Sequence, residues 1–321
     1  MSAYIRTAPT GAVFFYLTNT NGCSIIRKTR GENAMHFVQA KGILGLRNGM
    51  NIYRGCQHGC IYCDARSSCY QMNHVFEDIE VKQNAIELLE GALKSRRRPA
   101  VIGTGSMTDP YMPLERELTF TRRSLETMEK YGFGATVLTK SDLVLRDLEL
   151  FQSIHGKAKA VLQMTLTCMD DSVSRLIEPN VCPTSRRVEV LREFQKAGVP
   201  RVVWLCPILP FLTDTEENIR AILDACRDTG VKGIIWFGPG LTLREGDREY
   251  FYANLDKKFP GMKAEYIRRY GNAYEVMSPN GESLNRLFHD LCRQYGIWHD
   301  NDQIFTWLHT LEEQEPQLSF F

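Results

Sequence analysis

Nine residues, Gly55-Cys56-Gln57-His58-Gly59-Cys60-Ile61-Tyr62-Cys63, carry three thiols in a C-x-x-x-C-x-x-C pattern. Two glycines let the backbone turn tightly between the sulfurs, because glycine reaches positive φ without strain. Thiolates favour zinc or iron–sulfur clusters over harder ions. A structural zinc site takes four ligands, and so does a fully ligated 4Fe–4S cube. Three closely spaced ligands leave one iron of such a cube without a protein donor, and an open iron can bind and reduce a small molecule. The competing reading is a zinc knuckle completed by Cys69 or by a cysteine far along the chain, which would make this a non-catalytic zinc or iron–sulfur module.

Other polar groups recur where apolar runs end. Gly103-Thr104-Gly105-Ser106-Met107-Thr108-Asp109-Pro110-Tyr111 follows such a run, and its small residues allow a ligand close approach to the backbone. Thr108 and Asp109 add a hydroxyl and a carboxylate suited to an ammonium group, although Asp109 equally suits a turn before Pro110. Lys140 stands directly after Ala135–Thr139, where it would serve as counter-ion to a carboxylate. A surface lysine at a helix start is the plainer alternative, but the helix dipole opposes it. Thr165 follows the run Ala160–Met164, and there a threonine is as often a mere strand former. Cys206-Pro207-Ile208-Leu209-Pro210 and Gly238-Pro239-Gly240 give rigid or tight turns at two further run ends. Cys168 and Cys206 could face a ligand, but a buried inert thiol is the commoner case.

These groups need elements to hold them. Residues 1–48 read as an N-terminal accessory lead-in, with strands at Val13–Leu17 and Ser24–Lys28 and hairpin chemistry in Thr18-Asn19-Thr20-Asn21-Gly22 between them. Asn51–Arg54 is short and extended and feeds the cysteine loop. A helix is expected on Val81, Ala85, Leu88, Leu89 and Ala92, and others over Thr119–Lys130, from Ser141-Asp142 through Ile154, across Val188, Leu191 and Phe194, and after Asp214, with Glu217 completing a capping box. Strands are expected at Ala100–Gly103, Ala135–Thr139, Ala160–Met164, Arg201–Leu205 and Gly233–Phe237. Near-continuous apolar strands alternating with helices imply a parallel sheet covered by helices. The count is six βα units, too few for a closed eightfold barrel, so the fold class is α/β, a partial (βα)6 barrel of TIM type over 49–247. Ligands of such folds gather at the carboxyl ends of the strands. Residues 248–321 turn aromatic-rich (Glu249-Tyr250-Phe251-Tyr252, then Leu284–Tyr295) and read as a C-terminal helical cap.

Composition sets outer bounds. The chain has 321 residues, 43% hydrophobic and 24% charged, with net charge 39 − 38 = +1. A strongly basic footprint for polyanions is missing. Nucleic acid is therefore not indicated by net charge, and Arg96-Arg97-Arg98, Arg122-Arg123, Arg186-Arg187 and Arg268-Arg269 read first as solvated helix faces. Of ten cysteines, seven are scattered, which fits reduced thiols and a cytoplasmic location better than a disulfide framework. The apolar run Val13–Leu17 is too short for a membrane span and lacks the flanks of a signal peptide.

The loop resembles the cluster loop of radical S-adenosylmethionine (SAM) enzymes, down to the aromatic Tyr62 before the third cysteine. The longer strings Asn51-Ile52-Tyr53-Arg54-Gly55-Cys56 and Cys63-Asp64-Ala65-Arg66-Ser67 are similar to the spore photoproduct lyase-like branch. The resemblance spans about residues 48–245 and implies a partial barrel of the radical SAM type. It implies a 4Fe–4S cluster on Cys56, Cys60 and Cys63 that reduces SAM and releases a 5′-deoxyadenosyl radical, which takes hydrogen from substrate. By the same resemblance Thr108 and Asp109 would contact the SAM amino group, Lys140 its carboxylate, and Thr165 the ligand as a strand-end hydroxyl, with Tyr62 beside them. Glu178-Pro179 and Arg186-Arg187 also match the family. An external one-electron reductant, a flavodoxin- or ferredoxin-like protein, is implied as partner. Nucleic-acid lesion repair or modification is a second expectation, from the family and the arginine pairs. One departure bears on it: the DNA-repairing lyase has a cysteine hydrogen donor just ahead of its Thr-Ser-Asp segment, where this chain has Ser106 before Met107-Thr108-Asp109. An S–H bond gives up its hydrogen atom far more readily than an alcohol O–H, so the resemblance points to another substrate.

Overall fold

Six short runs pair into one parallel sheet, side by side in chain order. They are β1 (Gly49–Met50), β2 (Val101–Thr104), β3 (Gly134–Thr139), β4 (Ala160–Thr165), β5 (Arg201–Trp204) and β6 (Gly233–Ile235). A computed structural model describes them, covering residues 35–311 together with the strand backbones Ala3–Thr7, Val13–Thr18 and Ser24–Arg27. Helices cross between successive strands: α1 (Ala85–Lys94), α2 (Phe120–Lys130), α3 (Leu148–Lys157), α4 (Thr184–Lys196) and α5 (Glu216–Asp228). Parallel pairing demands such crossovers. Four more follow β6: α6 (Asp247–Lys258), α7 (Met262–Tyr270), α8 (Gly281–Tyr295) and α9 (Asn301–His309).

Burial on both faces explains the apolar strands. All six residues of β4 are buried. Leu162, Val203 and Ile234 pack in the large core with helix residues such as Phe151, Phe194 and Ile222. Their alternates Val161, Val202 and Ile235 belong to another cluster, with Ile304 and Leu308 of α9. The period of two along a strand separates the two sets. Helix α9 therefore fills the inner side of the open barrel, and Lys159 anchors it by donating to the carbonyls of Trp307 (2.6 Å) and Thr310 (2.9 Å). None of the helices among the described residues is long and apolar enough to cross a membrane.

Several expectations shift. The leading strand of the sheet is Gly49–Met50, not Asn51–Arg54. Tyr53–Arg54 instead pairs antiparallel with Ile79–Lys82 in a small sheet that also holds Met35–Val38. Val81 lies on that strand rather than on α1, because its alternation with Lys82 and Glu80 is a strand period. Helix α5 is capped by Thr215, whose hydroxyl accepts from Asn218 N–H, while Asp214 turns inward and accepts from Ser278 Oγ (2.5 Å). The two expected N-terminal strands pair antiparallel; the turn residues Asn19–Gly22 lie outside the described residues. After Asp247 the rhythm turns helical, yet Glu275–Met277 pairs back with Gly240–Thr242 at the sheet's mouth.

Candidate functional site

The cysteine loop lies over the carboxyl ends of the strands. Gly55 and Gly59 take φ of +89° and +67°. A Cβ on Gly55 would stand 2.4 Å from the Phe76 carbonyl oxygen, which itself accepts from Cys56 N–H at 3.2 Å. Ile61 N–H donates to the Ile177 carbonyl (2.9 Å), so the loop is pinned on two sides. Its three free thiols line one cavity of about 690 Å³.

Tyr62, Thr108, Asp109, Lys140 and Thr165 line the same cavity. The strand registers bring them together: Thr104 of β2 pairs with Val137, Met164 with Thr139, and Thr165 with Trp204, so the strand ends come level. Each residue then takes a distinct geometry. Thr108 donates to the Gly55 carbonyl (2.5 Å) and ties its segment to the cysteine loop. Asp109 is saturated by the protein. Its Oδ1 accepts from Tyr111 N–H (2.9 Å) and Thr139 Oγ1 (2.7 Å), its Oδ2 accepts from Lys140 N–H (2.7 Å), and His58 Nδ1 is 3.3 Å away. Burial alone would raise its pKa; the His58 charge and these bonds outweigh it and bring it down to about 2. That geometry serves the turn, and the residue also lines the cavity.

Lys140 differs. Among the described residues no acceptor binds its ammonium, which stands 6.0 Å from the centre of the Tyr62 ring. Burial would lower its pKa, but Cys60, Glu178 and Asp109 more than reverse that and hold it charged. Thr165 is buried, and its carbonyl accepts from Arg187 Nη1 (3.1 Å). The Tyr62 hydroxyl turns away from the cavity and donates to Glu178. Glu178 in turn pairs with Arg187, both fully buried.

The donor set fits a cluster better than a single ion. Sulfurs 2.3 Å from a tetrahedral zinc lie about 3.8 Å apart. The three loop sulfurs do not all lie within 4.8 Å of one another, a closeness that, among the described residues, only His36, His74 and Glu80 reach as a trio. Yet they are near enough for the Cys63 and Cys56 charges to bear on Cys60. Cys69 is exposed and accepts from Arg244 Nη1 at 3.3 Å, outside the cavity. Cys206 does line the cavity, but only the Lys140 charge bears on it, not the loop thiols. Cys168 is buried away from the cavity lining.

Other lining residues escaped the sequence reading. His58 could have been noticed, since it sits inside the cysteine loop. Trp204, Phe237 and Met277 line the mouth and had no motif to mark them. The arginine pairs mostly meet carboxylates: Arg122 meets Asp147 and Glu126, Arg186 meets Asp142 and Glu189, and Arg268 meets Glu265.

The family model described as the radical SAM superfamily matches residues 50–224. An uncharacterized protein of Mycobacterium tuberculosis is 27% identical over 283 residues, covering 84% of this chain and 81% of that protein. Spore photoproduct lyase complexed with dinucleoside spore photoproduct superposes with a TM-score of 0.61 at 12% identity, over 83% of this chain and 81% of that one. A mutant of that lyase with bound AdoMet and the dinucleoside gives 0.58 at 13% identity, over 78% and 75%. At these identities the likeness is one of fold.

Proposed function

The chain belongs to the radical SAM superfamily, and from that premise we propose that Cys56, Cys60 and Cys63 hold its 4Fe–4S cluster while Lys140, Thr165, Thr108 and Tyr62 flank SAM. The cofactors of this enzyme family, the cluster and SAM, supply a one-electron reductive cleavage that yields a 5′-deoxyadenosyl radical for hydrogen abstraction from substrate. The observation that carries the reading is the single cavity shared by the three free thiols and the polar strand-end residues.

Each residue then has a task. Lys140, charged and without an acceptor, offers its ammonium to a carboxylate. The Tyr62 ring lines the cavity 6.0 Å from that ammonium, its own hydroxyl held by Glu178. Thr108 also fastens the cysteine loop, and Asp109 fixes Thr139 and the Lys140 backbone. Trp204, Phe237, Leu241 and Met277 give the mouth an apolar rim that keeps water from a reactive intermediate. A flavodoxin- or ferredoxin-like protein would deliver the electron.

Spore photoproduct lyase, similar to this chain in fold, carries a dinucleoside spore photoproduct in its structure. Ser106 lines the cavity here, and a serine cannot give the hydrogen atom that a thiol gives. Repair of that lesion by that route is therefore not part of the reading, and the substrate is another molecule. Anaerobic reconstitution with iron and sulfide, then dithionite and SAM, tests it. The wild type should release 5′-deoxyadenosine and Cys60→Ala should not; a cluster-loaded wild type yielding neither 5′-deoxyadenosine nor methionine would sink it.

A further inference from the structure

Behind the cysteine loop, two histidines and a glutamate converge. His36 lies on Met35–Val38, and Glu80 stands opposite it on the parallel strand Ile79–Lys82. His74 reaches the same place from the loop ahead of that strand. One donor atom from each lies within 4.8 Å of the other two. The imidazoles meet edge to face, centroids 4.7 Å apart and planes at 88°. His36 Nδ1 is 3.2 Å from Asp78 Oδ1, and His74 Nδ1 is 3.0 Å from the Val75 carbonyl oxygen. The Val75 oxygen, which can only accept, places the proton on His74 Nδ1 and frees the Nε2 lone pair, as a metal-binding histidine requires; Asp78 Oδ1 makes no hydrogen bond among the described residues. His74 Nε2 is a buried atom without a hydrogen-bond partner, and Glu80 Oε2 lies 3.9 Å from it.

We propose that His36, His74 and Glu80 bind one zinc ion, at a site separate from the cluster. Two imidazoles and a carboxylate form a nitrogen–oxygen set suited to this metal. Donors around a tetrahedral zinc stand about 3.4 Å apart, so binding draws the three side chains inward by roughly an ångström. The side chains keep 13–18% exposure, which leaves the fourth position to water. Two separate histidine–carboxylate ion pairs would account for the individual contacts. They would not account for the buried His74 Nε2, which has no hydrogen-bond partner among the described residues and faces Glu80 Oε2 at 3.9 Å.

The site has a structural consequence. The loop from His74 to Asp78 carries Phe76, whose carbonyl holds Cys56 N–H and whose ring lies 4.3 Å under the Arg66 guanidinium. Zinc at His36, His74 and Glu80 fastens this loop to the small sheet and so braces the back of the cysteine loop.

The test uses the full chain with Cys56, Cys60 and Cys63 all changed to alanine, so that the cysteine loop takes no zinc. It is titrated with zinc chloride, dialysed and measured by elemental mass spectrometry. One zinc per chain is expected, with a higher melting temperature. Adding His74→Ala should weaken binding about 100-fold, and Glu80→Gln about 10-fold or more. No zinc above buffer level, or retention indifferent to His74→Ala, overturns the proposal. Should the triple variant fail to fold, the zinc-to-iron ratio is measured in cluster-loaded wild type and in His36→Gln. It should fall from about one in four toward zero; a wild type without zinc, or an unchanged ratio, is the refuting result. The outcome does not depend on the radical chemistry, since no cluster ligand takes part.

Discussion

Replacing Arg187 by methionine isolates the charge that supports the site from behind. Arg187 and Glu178 are both fully buried. The guanidinium serves three acceptors: the Glu178 carboxylate, the Cys182 carbonyl at 3.0 Å and the Thr165 carbonyl at 3.1 Å. Burial would raise the Glu178 pKa, but Arg187, Lys140 and the hydrogen bonds to it hold it below the ordinary range. Methionine fills similar space and leaves that carboxylate without its closest cation. Stranding one partner of a buried pair costs about 3–5 kcal/mol. With a urea m-value of about 3 kcal/mol/M, the unfolding midpoint should fall by roughly 1–2 M. Chemical denaturation of the cluster-free chain under reductant reads this directly. The double variant Arg187→Met with Glu178→Gln removes the stranded charge and keeps a partner for Tyr62, so it should be more stable than Arg187→Met alone by about 1–3 kcal/mol. A loss under about 1 kcal/mol for the single variant, or a second change that simply adds its own loss, would refute the reasoning. Because Tyr62 bonds to Glu178 from within the cysteine loop, Arg187→Met should also retain less iron after reconstitution.

Three further outcomes follow from local geometry. Lys140→Met should weaken SAM binding by about 10–150-fold, the worth of hydrogen bonds to a charged group, while iron content stays unchanged in equilibrium dialysis; loss of iron instead would give Lys140 a different role. Gly105 has φ +105°, and an added Cβ would stand 2.0 Å from the Leu138 carbonyl oxygen, so Gly105→Ala should cost about 2–4 kcal/mol. Gly91→Ala, inside α1 with open space around it, should instead gain about 0.5–1 kcal/mol, and thermal melts compare the two. Burial, with the Asp64 charge adding to it, pushes the Asp247 pKa up to about 6. A raised carboxyl pKa means the folded chain holds its proton more tightly, so this residue makes stability fall as pH rises from about 4 to 6. Asp247→Asn should therefore raise the melting temperature near neutrality by roughly 2–6 °C and leave it unchanged near pH 4; an equal gain at both would count against the assignment.

Spacing along the chain already contained the thiol trio, the strand–helix alternation and the places where polar groups end apolar runs. Those features are local: a strand period, a glycine turn or a lysine directly after a strand-forming run is written in neighbouring positions. The sequence could not choose between roles that depend on who stands opposite. Asp109 reads equally as ligand or turn until Thr139, Lys140 and His58 surround it. Val81 falls on a helical face by count, yet Met35–Val38 and Tyr53–Arg54 pair with it as a strand. The link from Tyr62 through Glu178 to Arg187 joins positions 116 and 9 residues apart, and no local pattern announces it. His36, His74 and Glu80 likewise meet only because two parallel strands set His36 and Glu80 side by side. Short-range periodicity fixes which elements form, whereas burial and pairing between distant segments decide which side chains become neighbours and which charges lose their water.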